Sequence, residues 1–378
     1  MTDRLLIFQQ TAEYSTESDT ATGSFDVSLY ADLLDCDVGY ALTIDDQPLS
    51  EYYVDRLEME VLDIPWRSVA SGFHERFVVT DPAVFSEKVK LRNGDRVRID
   101  EYDTVFVTQV VFHTAYVHYV AENFEDLTVI GLQDESLQDI MNFSAELELH
   151  HMRSLTSVDG FISEDEQYRR WASTIVDDIH FVPLLIPDGH FDDVQATTSR
   201  SREKVCLGSA THNHLPSNFY SSIAVFDSLR DIGHEITGEI LGVTEWQRPE
   251  LDEYEQREGV ATRGFMEGGF YDYIGQFDLA ILPTARVSAG RISAEFAAVG
   301  VPCIGNAQND LQRRCFPDLT VAPYDTPAIT SLAHRLLTDD VFYESIVRRA
   351  QRAVADLQDH RTEVERLRRF VRSVEHRT

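Results

Sequence analysis

Short apolar runs alternate along the chain with longer amphipathic segments. Leu5–Phe8, Thr104–Val107, Leu127–Leu132, Lys204–Gly208, Glu239–Val243 and Leu279–Leu282 read as strands, several of them apolar throughout, as strands covered on both faces are. Helix-like sequence follows most of them, including Phe25–Leu34 and Ser217–Ile232. Asp159–Ser163 followed by a helix, and then Ile179–Pro183, look like the last units of a first half. This alternation predicts an α/β chain of two similar halves, each built on a parallel sheet. Pro187–Ser201 is polar and rich in Thr, Ser and Asp, which marks a linker. The expected organisation is a first domain at 1–186, a linker at 187–203, a second domain at 204–325 and C-terminal helices at 326–378. A long helical stretch is expected from Pro327 to Val374.

The most informative segment is Ile281–Gly305, which reads as strand, glycine-bearing loop, helix and strand. The helix is expected over Ser288–Val299, with Ser288 as its cap. A helix that starts where a parallel strand ends offers free N–H groups and the positive end of its dipole to an anion. Gly290 lets the backbone approach closely, and Arg291 adds fixed positive charge. Ile292, Phe296 and Val299 follow helical spacing and are expected to form the buried stripe. Glu295 falls at the edge of that stripe, one turn past the anion site, where a carboxylate can accept hydrogen bonds from ribose hydroxyls. An ordinary solvated glutamate on a helix that covers a sheet fits the same pattern.

Pro283-Thr284, Gly290, then Glu295-Phe296-Ala297-Ala298-Val299-Gly300-Val301-Pro302-Cys303-Ile304 resembles the C-terminal domain of GT-B glycosyltransferases, in particular the retaining E-x7-E family (glycosyltransferase group 1, family 4). The resemblance extends upstream through Val260–Phe265 and Phe270–Asp278, and Lys204–Gly208 looks like the strand that opens that domain. It implies a GT-B architecture, two Rossmann-like domains facing a cleft, with the nucleotide-sugar donor on the second domain and the acceptor on the first. It also implies that the last helix crosses back to the first domain. Glu295 matches the second glutamate of the motif, whose place in the family is near the ribose. The first glutamate falls at Val287, and the Arg and Lys that hold the donor diphosphate in the family fall at Ser209 and His214.

Composition sets the surroundings. The 378 residues carry 33 Lys and Arg against 65 Asp and Glu, a formal charge of −32, which argues against nucleic-acid binding. Only three lysines occur, and an acidic, lysine-poor surface points to a halophilic, archaeal cytoplasm where salt screens self-repulsion. A hydrophobic share of 43% with 10% aromatics disfavours a disordered acidic chain. Residues 331–378 hold ten arginines and eight acids, so the tail is expected to balance its own charge, with an anionic membrane or lipid phosphate as the alternative partner for these arginines. Four dispersed cysteines form no zinc or disulfide pattern. Neither a signal peptide nor a membrane span is read, so a cytoplasmic protein is expected, with peripheral contact at the membrane's inner face as an option.

No Gly-x-Gly-x-x-Gly follows a strand and no P-loop occurs, which disfavours dinucleotide enzymes and P-loop NTPases. No Asp-x-Asp is read along the chain, which disfavours a metal-dependent GT-A transferase. The diphosphate is therefore expected to be held without a metal or other cofactor, by helix dipole and arginine, with Gly290, Arg291 and Arg286 as donors and Ser209 and His214 beside them. Acceptor activation falls to His113 or to Asp134 with Glu135, at the ends of first-half strands, alongside Glu295 in the catalytic set. His113 also lies on an apolar helix face, and Asp134 in a loop that reads equally as an acidic helix start. The expected activity is transfer of a hexose-type sugar from a nucleotide sugar to a glycan or to a polyprenyl- or dolichol-phosphate-linked acceptor, in cell-surface glycan or S-layer N-glycan synthesis. Val287 leaves two alternatives, a non-catalytic sugar-nucleotide binding or assembly protein and a sugar-nucleotide epimerase.

Overall fold

In the computed structural model, the apolar run at Leu5 lies inside a sheet flanked by parallel strands on both sides. The structure describes residues 4–9, 29–47, 82–108, 114–133, 145–186, 191, 194, 201–209, 219–243, 253–264, 269–285 and 287–375. The chain forms two compact units, one of residues 1–185 with 360–378 and one of residues 186–359.

In the first unit, β1 (Leu5–Gln9), β2 (Asp37–Thr43), β3 (Phe85–Leu91), β4 (Arg96–Arg98), β5 (Thr104–Thr108), β6 (Thr128–Gln133), β7 (Gly160–Ser163) and β8 (Ile179–Phe181) pair in the order β4-β3-β2-β1-β5-β6-β7-β8. The pairs β2–β3 and β3–β4 are antiparallel and the others parallel. The pattern of apolar runs missed β2 to β4. β3 alternates charged and apolar residues, and β4 is an exposed three-residue edge.

Strand side chains alternate between faces, so each apolar run feeds two cores. Leu6, Val105, Val107, Val129 and Phe161 join one core with Tyr116, Val117 and Val120 of α1 (Thr114–Asn123), Leu155 of α2 (Ala145–Thr156) and Tyr168 of α3 (Glu166–Ala172). Ile7, Phe106, Ile130 and Ile162 join the other with Tyr30 and Leu34 of the helical residues 29–34. The C-terminal helix, Arg361–Glu375, completes that second core with Leu367, Val371 and Val374. Gly160 admits it: a Cβ there would lie 2.8 Å from Val374 Cγ2 and 3.1 Å from Phe370 Cζ. Two hydrogen bonds also tie the helix down, Thr104 Oγ1 to Glu375 Oε1 at 2.6 Å and Arg368 Nη2 to the Leu33 carbonyl at 2.8 Å.

The second unit is a parallel sheet of β9 (Lys204–Ser209), β10 (Thr237–Val243), β11 (Val260–Gly264), β12 (Leu279–Leu282), β13 (Cys303–Asn306) and β14 (Thr320–Val321) in the order β11-β10-β9-β12-β13-β14. Its helices are α4 (Phe219–Asp231), α5 (Phe270–Ile274), α6 (Arg291–Val299), α7 (Asp310–Cys315), α8 (Thr326–Thr338) and α9 (Asp340–Gln358), and the C-terminal helix is α10. The helical stretch expected from Pro327 to Val374 is divided into three helices. Asp339 leaves helical geometry and accepts a hydrogen bond from the Phe342 N–H at 2.9 Å, so it caps α9 in the manner typical of aspartate. Asp359 and His360 separate α9 from α10.

Cys206 and Cys303 both stand opposite Ala280, one on each side of β12, and Cys315 is buried with them. Burial pushes the Cys206 and Cys315 thiols up to about 12 and Cys303 well above its ordinary value. These are inert core residues, as expected of thiols buried away from water.

Candidate functional site

β9 is followed by β10 on one side, and the chain later returns to pair β12 on the other. The carboxyl ends of β9 and β12 therefore flank a topological switch point, the position where open α/β sheets bind ligands. Ser209 ends β9 and is half-buried there. Gly208 precedes it because the chain has no room for a side chain: a Cβ would meet the Phe219 ring at 2.3 Å. Phe219 opens α4, and Ser222 Oγ of the same helix donates to the Ile281 carbonyl of β12 at 3.1 Å.

Beyond β12 the chain turns at Pro283 and Thr284 and enters α6 through Gly290. Gly290 has φ 81° and ψ 41°, a left-handed conformation that costs other residues free energy. The helix starts at Arg291 rather than Ser288. Ser288 is not its cap; its N–H donates to Asn309 Oδ1 at 3.3 Å, and no side chain caps α6. First-turn N–H groups of a helix have no partner within it, which makes such an end suited to an anion.

The buried side of α6 also differs from expectation. Phe296 and Val299 are buried as expected, but Ser293, Ala294 and Ala297 complete the face, while Ile292 is only half-buried. Ser293 belongs inside because its hydroxyl donates to Gln312 Oε1 at 2.8 Å, and Gln312 Nε2 donates in turn to the Cys303 carbonyl at 2.9 Å. A further backbone bond, Leu311 N–H to the Ala289 carbonyl at 2.9 Å, locks the loop before α6 to the start of α7. Asn306, Asn309 and Gln312 are all buried, so the loop rests on a polar framework. The sequence signal for it is the polar run Asn306–Asp310 directly after an apolar strand.

Arg291 and Glu295 lie one turn apart on α6 and are both half-buried. Tyr271 of α5 joins them. Its hydroxyl is held well above its ordinary value, chiefly by burial and then by the Glu295 charge, with Arg291 opposing. The Tyr271 ring meets Phe191 edge-on at 5.4 Å. Sequence reading missed Tyr271, since aromatic residues on a short helix next to a sheet are ordinarily core. Val287, at the place of the family's first glutamate, is half-buried in the loop. Arg286 and His214 lie outside the described residues.

In the first unit the corresponding switch point is between β1 and β5. His113 immediately precedes α1, and Asp134 immediately follows β6, but both lie outside the described residues, as does Glu135. The structure instead shows a buried carboxylate at the carboxyl end of β7. Glu164 is 2% exposed and accepts a hydrogen bond from the Tyr30 hydroxyl at 2.9 Å. Its own N–H donates to the Gln133 carbonyl at 3.3 Å, which places it beside the last residue of β6. One Asp-x-Asp does occur, Asp35-Cys36-Asp37, which sequence reading passed over. It enters the amino end of β2, opposite the carboxyl end at which open α/β sheets bind ligands, and Asp37 accepts from the Tyr102 hydroxyl at 2.8 Å.

Among the described residues, no group of three or more His, Cys, Asp or Glu side chains is placed to hold a metal ion. Nor is any helix among them long and apolar enough to cross a membrane.

The sequence matches no protein-family model. It matches no curated protein. Solved structures do resemble it. A UDP-forming α,α-trehalose-phosphate synthase from Burkholderia xenovorans superposes with a TM-score of 0.66 at 8% identity, over 99% of each chain. The α,α-trehalose 6-phosphate synthase from Burkholderia multivorans gives 0.66 at 10% identity, again over 99% of each. Sucrose-phosphate synthase from Thermosynechococcus elongatus gives 0.59 at 12% identity, over 74% of this chain and 75% of that one. At such identities the likeness is one of fold: the chain has the two parallel-sheet, Rossmann-like units of the GT-B architecture.

Proposed function

We propose that the protein is a glycosyltransferase that moves a hexose-type sugar from a nucleotide-sugar donor on the second unit to a glycan or polyprenyl-phosphate-linked acceptor on the first. The observation that carries this reading is the entry to α6, where Gly290, Arg291 and Glu295 follow one another at the switch point of the second sheet. The fold likeness supports it, since one similar structure is a UDP-forming synthase and another, Staphylococcus aureus TarM at TM-score 0.56 and 10% identity over 76% of this chain and 61% of that one, holds UDP.

In this reading the α6 N-terminus and Arg291 face the donor diphosphate. Negative charge grows on the leaving diphosphate as the glycosidic bond breaks, so these groups bind the transition state more strongly than the ground state. Glu295, one turn further, accepts hydrogen bonds from the ribose hydroxyls. Arg286, Ser209 and His214 complete the donor side, and His113 or Asp134 takes the acceptor hydroxyl proton. No metal is assigned a role. In this reading the enzyme works in a halophilic archaeal cytoplasm, at the membrane's inner face in surface-glycan or S-layer N-glycan synthesis; the acidic, lysine-poor composition supports the halophilic setting.

One feature favours a second reading. Val287 stands where the resembling family carries its first glutamate, next to the donor sugar, and a chain lacking that carboxylate fits a sugar-nucleotide binding or assembly protein. Incubation with a panel of UDP- and GDP-sugars at molar salt distinguishes the two. Transferase activity releases nucleoside diphosphate in step with a glycosylated acceptor. Thermal stabilisation by a nucleotide sugar without release supports the binder, and neither effect with any donor refutes both.

A further inference from the structure

Two imidazoles meet on the surface of the second unit, remote in sequence from the loop that precedes α6. His234 follows the C-terminal end of α4, and His334 lies in the last turn and a half of α8. His234 Nε2 and His334 Nδ1 are 2.9 Å apart, with the ring planes at 67°. The helices that carry them pack against each other, so the approach of the rings is set by the fold.

We propose that His234 and His334 are a two-histidine site for a divalent transition-metal ion of the zinc and nickel class, which fastens the end of α4 to α8. The separation suits it. Zinc–nitrogen bonds of about 2.0–2.1 Å in tetrahedral geometry set two ligand nitrogens about 3.3 Å apart, so the nitrogens separate by a few tenths of an ångström and the rings turn until both lone pairs point at one ion. In the absence of an ion, one ring donates a hydrogen to the other across the 2.9 Å gap. On binding, that hydrogen passes through solvent to the other nitrogen of its own ring, both lone pairs face the ion and no proton is lost overall. His334 is exposed, so water completes the coordination, consistent with the absence of a third protein ligand among the described residues.

The surroundings favour a cation. His234 lies just past the end of α4 and His334 near the end of α8, where helix dipoles present their negative ends. The basic residues nearest to them in sequence are engaged in ion pairs, Arg230 with Glu258 and Arg335 with Asp339. A protein of net charge −32 concentrates cations at its surface.

The test uses the full chain, stripped of metal with a chelator that is then removed. Zinc is titrated against a chromophoric zinc indicator, in parallel with His234→Ala and His334→Ala, because thirteen histidines in the chain supply weak background sites. The expected result is one site whose affinity falls at least tenfold in each variant. Zinc or nickel should also raise the melting temperature of the wild type and not of the variants, while magnesium, which prefers oxygen ligands, should do so for none. Equal zinc affinity in wild type and both variants overturns the proposal, as does failure of the wild type to compete with the indicator. If a variant is unstable, His334→Gln, which keeps a polar side chain at the exposed position, must reproduce the loss of affinity.

Discussion

Gly290 and Asn309 approach so closely that a Cβ on the glycine would lie 2.9 Å from the Asn309 Cβ. Since Gly290 also sits at φ 81°, the residue that starts α6 is constrained by backbone conformation and by space together. Gly290→Ala is expected to cost at least about 1–2 kcal/mol from the left-handed backbone alone. The loop must also move away from Asn309, so nucleotide affinity should fall with stability. Urea melts alongside nucleotide titration check this. Unchanged affinity in a destabilised variant would mean that the loop does not touch the ligand.

Arg291 and Glu295 are expected to separate in their kinetic effects if the proposed donor site is right. Charge-assisted hydrogen bonds contribute about 1.5–3 kcal/mol, so each alanine variant should lose roughly 10- to 100-fold in kcat/KM for the donor. Arg291→Ala should lower kcat, because its partner charge grows in the transition state. Glu295→Ala should mainly raise the donor KM. Tyr271→Phe should resemble a mild form of Glu295→Ala. Nucleoside diphosphate release at molar salt measures all three, and wild-type kinetics in Arg291→Ala and Glu295→Ala would exclude the assignment.

Gly160 and Val374 fit each other in the first unit. Gly160→Ala should destabilise by about 1–3 kcal/mol through overpacking against Val374 and Phe370. Adding Val374→Ala should restore much of the loss. A double-mutant cycle by denaturant unfolding checks the coupling, and strictly additive losses would show that α10 yields elsewhere.

His151 is fully buried and its Nε2 is 2.6 Å from the Tyr168 hydroxyl, while Nδ1 has no hydrogen-bond partner. Burial lowers its pKa to about 3. Above about pH 6.5 the ring is neutral in both folded and unfolded states, and this group adds no pH dependence. As pH falls from there towards 3, the unfolded chain takes up the proton first and stability drops. Between pH 6.5 and 4.5 the loss should be about 2–3 kcal/mol. His151→Gln, which can still bond Tyr168, should flatten that part of the wild-type profile. Parallel profiles for the two proteins in urea melts would count against the buried neutral ring.

Much of the fold was legible because burial on both faces leaves parallel strands continuously apolar. Leu279–Leu282 matches its strand, and the starts of Leu5, Thr104 and Lys204 match theirs. β3 escaped because one of its faces is polar, and an alternating seven-residue segment resembles any surface strand or loop. The site was legible in its helix and not in its supports. Gly290, Arg291 and Glu295 are close in sequence, whereas Tyr271, Asn309 and Gln312 reach them only through folding.

The alternation of strands and helices and the glycine at the entry to α6 were already written in the sequence, because both depend on local chemistry and periodicity. It took the packed fold to start the helix at Arg291 rather than at Ser288, to turn Ser293 inward to Gln312 and to bury Glu164 against Tyr30. These depend on partners 19 to 134 residues away, brought close by the order of strands in each sheet. Strand order is a property of the packed sheet, and no local pattern of residues encodes it.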